Sequence, residues 1–312
     1  FRKGHTVCNE DLCHLQKLGK NHLYQIDLAD DEIHEDQAAA ILAGALAGDG
    51  IVWQDEPREG KIKLLADRDG LFTVNTSALA AFNMVDEVMC ATLHSHTRVR
   101  KGELVAATRA IPLVMKRAPI ERAAAIARQN GATLEVKVLL AAKVGLIITG
   151  NEVYHGLIED RFAPILSEKV TALGCTVNNP AFAPDKPEII RDVIKNQLEN
   201  GCNLLMLSGG MSVDPDDVTR QGIRLAGATE MSYGSAVLPG AMFLMAYIEE
   251  VPLLGVPACG LHHRITVLDL VLPRILAGEK IGKAELAFLG PGGLCTDCEE
   301  CVYPHCPFGK GA

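Results

Sequence analysis

Aromatic side chains are scarce: 312 residues hold one Trp, five Tyr and eight Phe. Aliphatic packing must therefore carry the cores, and platforms for stacking bare nucleic-acid bases are not expected. A basic surplus is also missing. Thirty Lys and Arg face 39 Asp and Glu, for a net charge of −9, the reverse of a nucleic-acid binder's footprint. An anionic small ligand is still compatible, because backbone N–H groups at helix starts bind phosphate inside acidic proteins. No apolar run reaches the roughly 18–20 residues that cross a bilayer. The longest candidate, 138–149, contains Lys143 and reads as a buried strand. No secretory signal is visible. Neither the dinucleotide fingerprint Gly-x-Gly-x-x-Gly nor the phosphate loop Gly-x-x-x-x-Gly-Lys-Ser/Thr occurs.

What is present is globular composition, 48% hydrophobic and 22% charged. The length suggests two or three domains, able to bury several cores without staples. Ten cysteines are used unevenly. Cys8, Cys13, Cys90, Cys175, Cys202 and Cys259 are scattered, whereas Cys295, Cys298, Cys301 and Cys306 crowd together at the end. Buried thiols beside a metal-type cluster suit a cytoplasmic protein.

Residues 1–140 read as mixed α+β. A helix is expected over 31–46, ended by Gly48-Asp49-Gly50. Asp69-Gly70 signals a hairpin between strands at 62–65 and 71–74. A helix over 77–82, strands over 85–93 and 104–114, and a helix over 119–130 follow. From about residue 141 the rhythm changes. Strands at 144–148, 175–182, 204–207, 242–248 and 252–256 alternate with helices at 158–173, 187–200, 218–226 and 261–276. That alternation predicts an α/β domain over 141–285, a three-layer arrangement with a parallel sheet covered on both faces. A Cys-rich tail, 286–312, follows it.

Ligands of such sheets bind at the carboxyl ends of the strands. Four turns fall there: Thr149-Gly150-Asn151-Glu152; Ser208-Gly209-Gly210-Met211-Ser212, running on to Asp214, Asp216, Asp217 and Thr219; Pro239-Gly240-Ala241-Met242; and Pro257-Ala258-Cys259-Gly260. Glycine admits a close ligand and positive φ, hydroxyls and N–H groups suit phosphate oxygens, and acidic residues suit Mg²⁺. One such turn is ordinary; four in one domain point to a ligand crevice.

These residues carry a resemblance. Thr149-Gly150-Asn151-Glu152-Val153-Tyr154 with Gly156, Ile158, Asp160 and Phe162, the Ser208–Val213 glycine loop with Asp217-Val218-Thr219, and the turns at Leu238–Met242 and Pro257–Cys259 resemble the molybdopterin-binding domain of molybdenum-cofactor biosynthesis proteins. Phe1-Arg2-Lys3-Gly4-His5, Glu59-Gly60-Lys61-Ile62 and Arg109-Ala110-Ile111-Pro112-Leu113 extend the likeness to stand-alone members with a Cys-rich tail. The resemblance implies a pterin-dithiolene phosphate ligand, molybdopterin, free or adenylylated, held by Thr149, Gly150, Asn151, Ser208, Gly209, Gly210, Met211, Ser212, Thr219, Pro239, Gly240, Ala241, Pro257 and Cys259. In related molybdenum transferases a Glu and two Asp serve metal insertion; by motif position these are Glu152, Asp185 and Asp217. Carboxylates there would hold Mg²⁺ on a pyrophosphate while molybdate or water attacks. The resemblance further implies molybdenum enzymes as clients and a homo-oligomer. The chain departs from the transferases in lacking a Ser-x-x-Asp-Gly-type segment. It also has Ala241-Met242 where they place Lys and Pro, and Ala258-Cys259 where they place Gly and Asn. Ligand binding is thus better supported than transferase-like activity. The alternatives are a non-catalytic carrier or chaperone, and a nucleotide-pyrophosphate hydrolase on a similar sheet.

The tail reads Cys295-x2-Cys298-x2-Cys301-x4-Cys306-Pro307. Successive x2 gaps and a final Cys-Pro suit an iron–sulfur cluster, four thiolates suit Zn²⁺, and a metal-free flexible tail is the third option. His262 and His263 follow Cys259 and either face the ligand or start a solvated helix. His94 and His96, at period two, share a strand face or end a strand.

Overall fold

The computed structural model of the chain describes residues 7–19, 22, 27–53, 56–129, 131–210 and 218–311. The amino-terminal region builds one core, from Ile33 to Val136. Helices Glu35–Leu46 and Arg117–Arg128 bury Ala38, Leu42, Leu46, Ile120, Ala123 and Ala127. They pack beside a four-stranded antiparallel sheet ordered Ile51–Trp53, Lys61–Ala66, Leu104–Ala110, Val88–Thr92. Alternate burial along Lys61–Ala66 is the period-two signature of a half-buried strand. A three-stranded sheet joins Thr97–Val99, Gly70–Val74 and Leu134–Lys137.

Two expectations fail here. Asp69-Gly70 closes no hairpin, because Lys61–Ala66 and Gly70–Val74 lie in different sheets. The turn is a crossover: Asp69 accepts a hydrogen bond from the Lys101 N–H at 2.8 Å, and the Gly70 α-carbon lies tight against the Lys137 carbonyl, where a side chain would collide. The strand expected over 104–114 is two strands. Pro112 has no N–H for a ladder, so Leu104–Ala110 stops before it, and Val114–Lys116 pairs with Glu32–His34 instead.

The second half is built on a seven-stranded sheet. Its strands are β1 (Lys143–Thr149), β2 (Thr176–Val177), β3 (Ala181–Ala183), β4 (Leu204–Ser208), β5 (Thr229–Tyr233), β6 (Leu244–Ile248) and β7 (Val251–Val256). Its helices are α1 (Asn151–Tyr154), α2 (Phe162–Thr171), α3 (Pro187–Glu199), α4 (Thr219–Leu225), α5 (Val267–Leu276) and α6 (Lys283–Phe288). β1, β4 and β7 run parallel at the centre. Val144, Leu146 and Ile148 face a core with α2 and α5; Ile147, Leu205 and Leu207 face another with α3 and α4. The sheet is therefore covered on both faces, and its central strands are apolar between their ends, over 144–148 in β1 and 204–207 in β4, as read in sequence.

The sheet is mixed rather than wholly parallel. β6 runs antiparallel to both of its neighbours, β5 and β7. Ile248 pairs directly with Val251, leaving a two-residue Glu249-Glu250 turn with Glu249 at φ 52°, and a loop that short cannot make a parallel crossover. The strand expected over 175–182 is the pair β2 and β3, both alongside β1. Between them the chain leaves the ladder at Pro180, and Gln197 of α3 covers the gap, accepting from Asn178 at 2.8 Å and donating to the Asn179 carbonyl.

The tail is an integral part of this half. Phe308 is buried in the α2–α5 core, with Cys295, Tyr303 and Cys306 packed against it. Among the described residues no helix is long and apolar enough to cross a membrane.

Candidate functional site

The first two turns meet at the carboxyl ends of β1 and β4. Thr149 ends β1 with its side chain 2% exposed. Its hydroxyl lies 2.9 Å from that of Thr219, at the start of α4, and 3.3 Å from the Ser208 carbonyl. Thr149 and Thr219 thus lock two turns together from behind, rather than presenting hydroxyls at the open surface. Gly209 (φ 94°) passes so close that a β-carbon would overlap the Thr149 carbonyl oxygen. Only glycine permits both the positive φ and the approach. Ser208 is fully buried, and its hydroxyl has no partner among the described residues. A buried polar atom left unpaired costs roughly 1–3 kcal/mol, which a bound oxygen or nitrogen would recover.

Gly150 (φ 136°) begins α1, and the Glu152 carboxylate folds over it, 2.8 Å from where a β-carbon would stand. Asn151 and Asp185 bond reciprocally: the Asn151 N–H donates to the Asp185 carboxylate at 2.9 Å, and the Asp185 N–H to the Asn151 amide oxygen at 3.2 Å. The loop after β3 is thereby tied to the turn after β1. Met211, Ser212 and Asp217 lie outside the described residues.

The third turn follows the Leu238-Pro239 bond, which is cis. Gly240 packs against Val267, 2.5 Å from where a β-carbon would stand, while the Pro239 carbonyl accepts from the Val267 N–H at the start of α5. Ser235 donates to the Gly240 carbonyl at 2.9 Å. Sequence reading passed over Ser235; a Gly-Ser pair just before a Pro-Gly turn is the signal that could have found it. Ala241 is exposed.

In the fourth turn Pro257 is buried and Cys259 half-buried. The Cys259 carbonyl accepts from the N–H groups of His262 and His263. Burial pushes the Cys259 thiol's pKa up, so it is held as a thiol, not primed as a thiolate.

The sheet ends therefore gather Thr149, Ser208, Gly209 and Thr219, with Asn151, Glu152 and Asp185 beside them. A cleft of about 1090 Å³ lies elsewhere, between Arg98–Glu103 of the amino-terminal region, α2 and the start of α5. It reaches the strand ends only through residues 260–263.

Other expectations find different surroundings. Cys298 and Cys301 are exposed, Cys295 and Cys306 half-buried. Among the described residues no three His, Cys, Asp or Glu are gathered as a metal-ligand set. His94 and His96 lie not in a strand but in the turn before Thr97–Val99, with His96 at φ 61°. His96 reaches across to Glu279, 3.3 Å away.

The fold and these turns define the class: an α/β domain with glycine-rich turns at the carboxyl ends of a parallel centre. Residues 145–277 match the family described as "Probable molybdopterin binding domain". Residues 1–27 match a domain family of unknown function. A CinA-like protein of Mycobacterium tuberculosis is 31% identical over 80 residues, 26% of this chain and 19% of that protein. The chain thus spans about a fifth of the length of the curated relatives it matches. Among solved structures, the molybdopterin biosynthesis enzyme MoaB of Thermus thermophilus is similar at 18% identity and a TM-score of 0.38, over 44% of this chain and 98% of that one. The molybdopterin biosynthesis Mog protein of Mycobacterium ulcerans is similar at 19% identity and 0.37, over 44% and 99%. The molybdopterin biosynthesis MoeA protein of Pyrococcus horikosii gives 18% and 0.37, over 86% and 79%.

Proposed function

We propose that this chain binds molybdopterin, free or adenylylated, at the carboxyl ends of β1, β4 and β7, during synthesis, maturation or delivery of molybdenum cofactor. The family match over 145–277 carries the reading, and the buried Ser208 hydroxyl at the head of the glycine turn, without a partner among the described residues, supports it. Backbone N–H groups of the glycine turn receive the terminal phosphate. Glu152 and Asp185 face any group lying over the Gly150–Asn151 turn, and Asp217 joins them by motif position. One Asp185 oxygen is held by the Asn151 N–H; the other, without a hydrogen-bond partner among the described residues, would bind a cation. The donor set is carboxylate oxygen, which fits Mg²⁺. Bound there, Mg²⁺ would offset the charge of a pyrophosphate; the chain's own share is to orient that group and keep it against the turn. Molybdate is then the co-substrate of a transferase-like activity, and a molybdenum enzyme is the client of a carrier.

The test is molybdopterin binding, read from pterin fluorescence after oxidation, on wild type and on Glu152→Gln, Asp185→Asn and Asp217→Asn. Wild type is expected to bind and to retain pterin through gel filtration. Variants that bind normally but lose molybdate-dependent turnover would mark a transferase; variants normal in every respect would mark a carrier. No binding by wild type, with AMP released from dinucleotides instead, would replace this reading with the pyrophosphate hydrolase.

A further inference from the structure

The cysteine tail takes no part in the strand-end crevice, yet it is fastened to two of its turns. The Cys295 N–H donates to the Leu238 carbonyl at 2.8 Å, and Leu294 bridges Leu238, just before the Pro239-Gly240 turn. Asp297 lies 3.9 Å from His263, just past the Pro257–Cys259 turn. At its far end the loop is pinned by Phe308, 3% exposed, and by the Gly309 N–H donating to the Gly292 carbonyl. Between these fastenings, residues 296–302 are all exposed and form no helix or strand. None of residues 296–304 donates a backbone hydrogen bond to another described residue's carbonyl. Packing fixes the ends of this loop and nothing in the apolar core fixes its middle.

That middle carries Cys298 and Cys301, both exposed, and its ends carry Cys295 and Cys306, both half-buried against the same core. Asp297, Glu299 and Glu300 stand among them. Four thiols between three carboxylates, in a loop with no core of its own, make chemical sense around a cation. It would offset the crowded negative charge and supply the ordering that packing does not.

We infer that Cys295, Cys298, Cys301 and Cys306 hold one metal centre, and that this centre staples the tail across the third and fourth ligand turns. The ends are already placed; closing the exposed middle brings Cys298 and Cys301 to Cys295 and Cys306, and each thiol gives up its proton as it becomes a ligand. The shared chemistry is four thiolates, which take Zn²⁺ tetrahedrally or an iron–sulfur cluster. The site stands apart from the crevice and does not depend on what the crevice binds.

Elemental analysis of the full chain, purified without oxygen, tests this. The expected result is near-stoichiometric Zn, or Fe with matching acid-labile sulfide and a visible charge-transfer band; the two results distinguish the metals. Cys298→Ser/Cys301→Ser is expected to lose at least tenfold in metal with an unchanged far-ultraviolet spectrum, since both side chains are exposed. Removing the metal is expected to speed hydrogen exchange at 236–242, behind the third turn. The inference is overturned if the anaerobic chain holds neither metal and takes up neither Zn²⁺ nor Fe²⁺ with sulfide, or if the double variant keeps its full content. Unchanged exchange at 236–242 would refute the staple. None of these readouts involves pterin, so the crevice reading can fail independently.

Discussion

One α-carbon and two hydroxyls fix the join between the first two turns. Gly209 needs positive φ and has no room for a β-carbon against Thr149. Gly209→Ala should therefore lower stability by about 2–4 kcal/mol in urea unfolding. Gly201→Ala is the control: φ is also positive, at 79°, but nothing lies within 4 Å, so only the conformational penalty of about 1 kcal/mol applies. Equal losses at the two positions would refute the close approach. Thr149→Val keeps the shape of the side chain but strands the buried Thr219 hydroxyl, 2.9 Å away. The expected cost is about 1–3 kcal/mol, again by urea unfolding. Thr149 and Gly209 stand out in sequence as turn residues, but not as partners of each other, since 60 positions separate them.

At the scale of elements, apolar patterning and end signals located the helices well. Pro187 starts α3 at its first turn, where its missing N–H costs nothing. Strand pairing was less legible. Asp69-Gly70 has the residue types of a hairpin, but its flanking strands find better partners in two separate sheets. β5 went unread because Thr229–Tyr233 lies half-exposed at the sheet edge and lacks a buried run. The tail's anchoring was also hidden: a single Phe in a Gly- and Cys-rich stretch does not announce a core residue. Phe308→Ala should cost about 3–5 kcal/mol and release the tail to limited proteolysis; a tail equally resistant in the variant would count against the anchoring.

On the scale of the whole molecule, the two halves are joined by a charged clasp. The Glu279 carboxylate, just past α5, meets Arg274 at 2.8 Å, and from the amino-terminal region His96 at 3.3 Å and Lys137 at 3.8 Å. Burial opposes its charge, but hydrogen bonds from His96 and Arg274 outweigh that and hold its pKa at about 2, from an ordinary 4.5. A depressed carboxylate stabilises the folded state fully above the unfolded pKa, and the gain fades as pH falls through the folded one. The clasp should thus contribute about 3 kcal/mol at neutral pH, lost progressively between pH 4.5 and about 2. Glu279→Gln should flatten stability across that window. Trp53, the single Trp, packs near Gly44 in the amino-terminal region and reports its unfolding. In the variant its emission should change at lower urea than the far-ultraviolet signal; coincident transitions would show the halves do not depend on the clasp.

Residue order by itself determined the class of each half, the apolar central strands and the glycine turns beyond them, because periodicity and turn chemistry are local. Tertiary structure alone decided the rest. It turned β5 and β6 antiparallel, carried His96 to Glu279, set Thr149 against Thr219 and Gly209, and bound the cysteine tail to Leu238 and His263. Those are contacts between positions distant in the chain, chosen by which surfaces pack best once the helices and strands exist, and no local pattern encodes that choice.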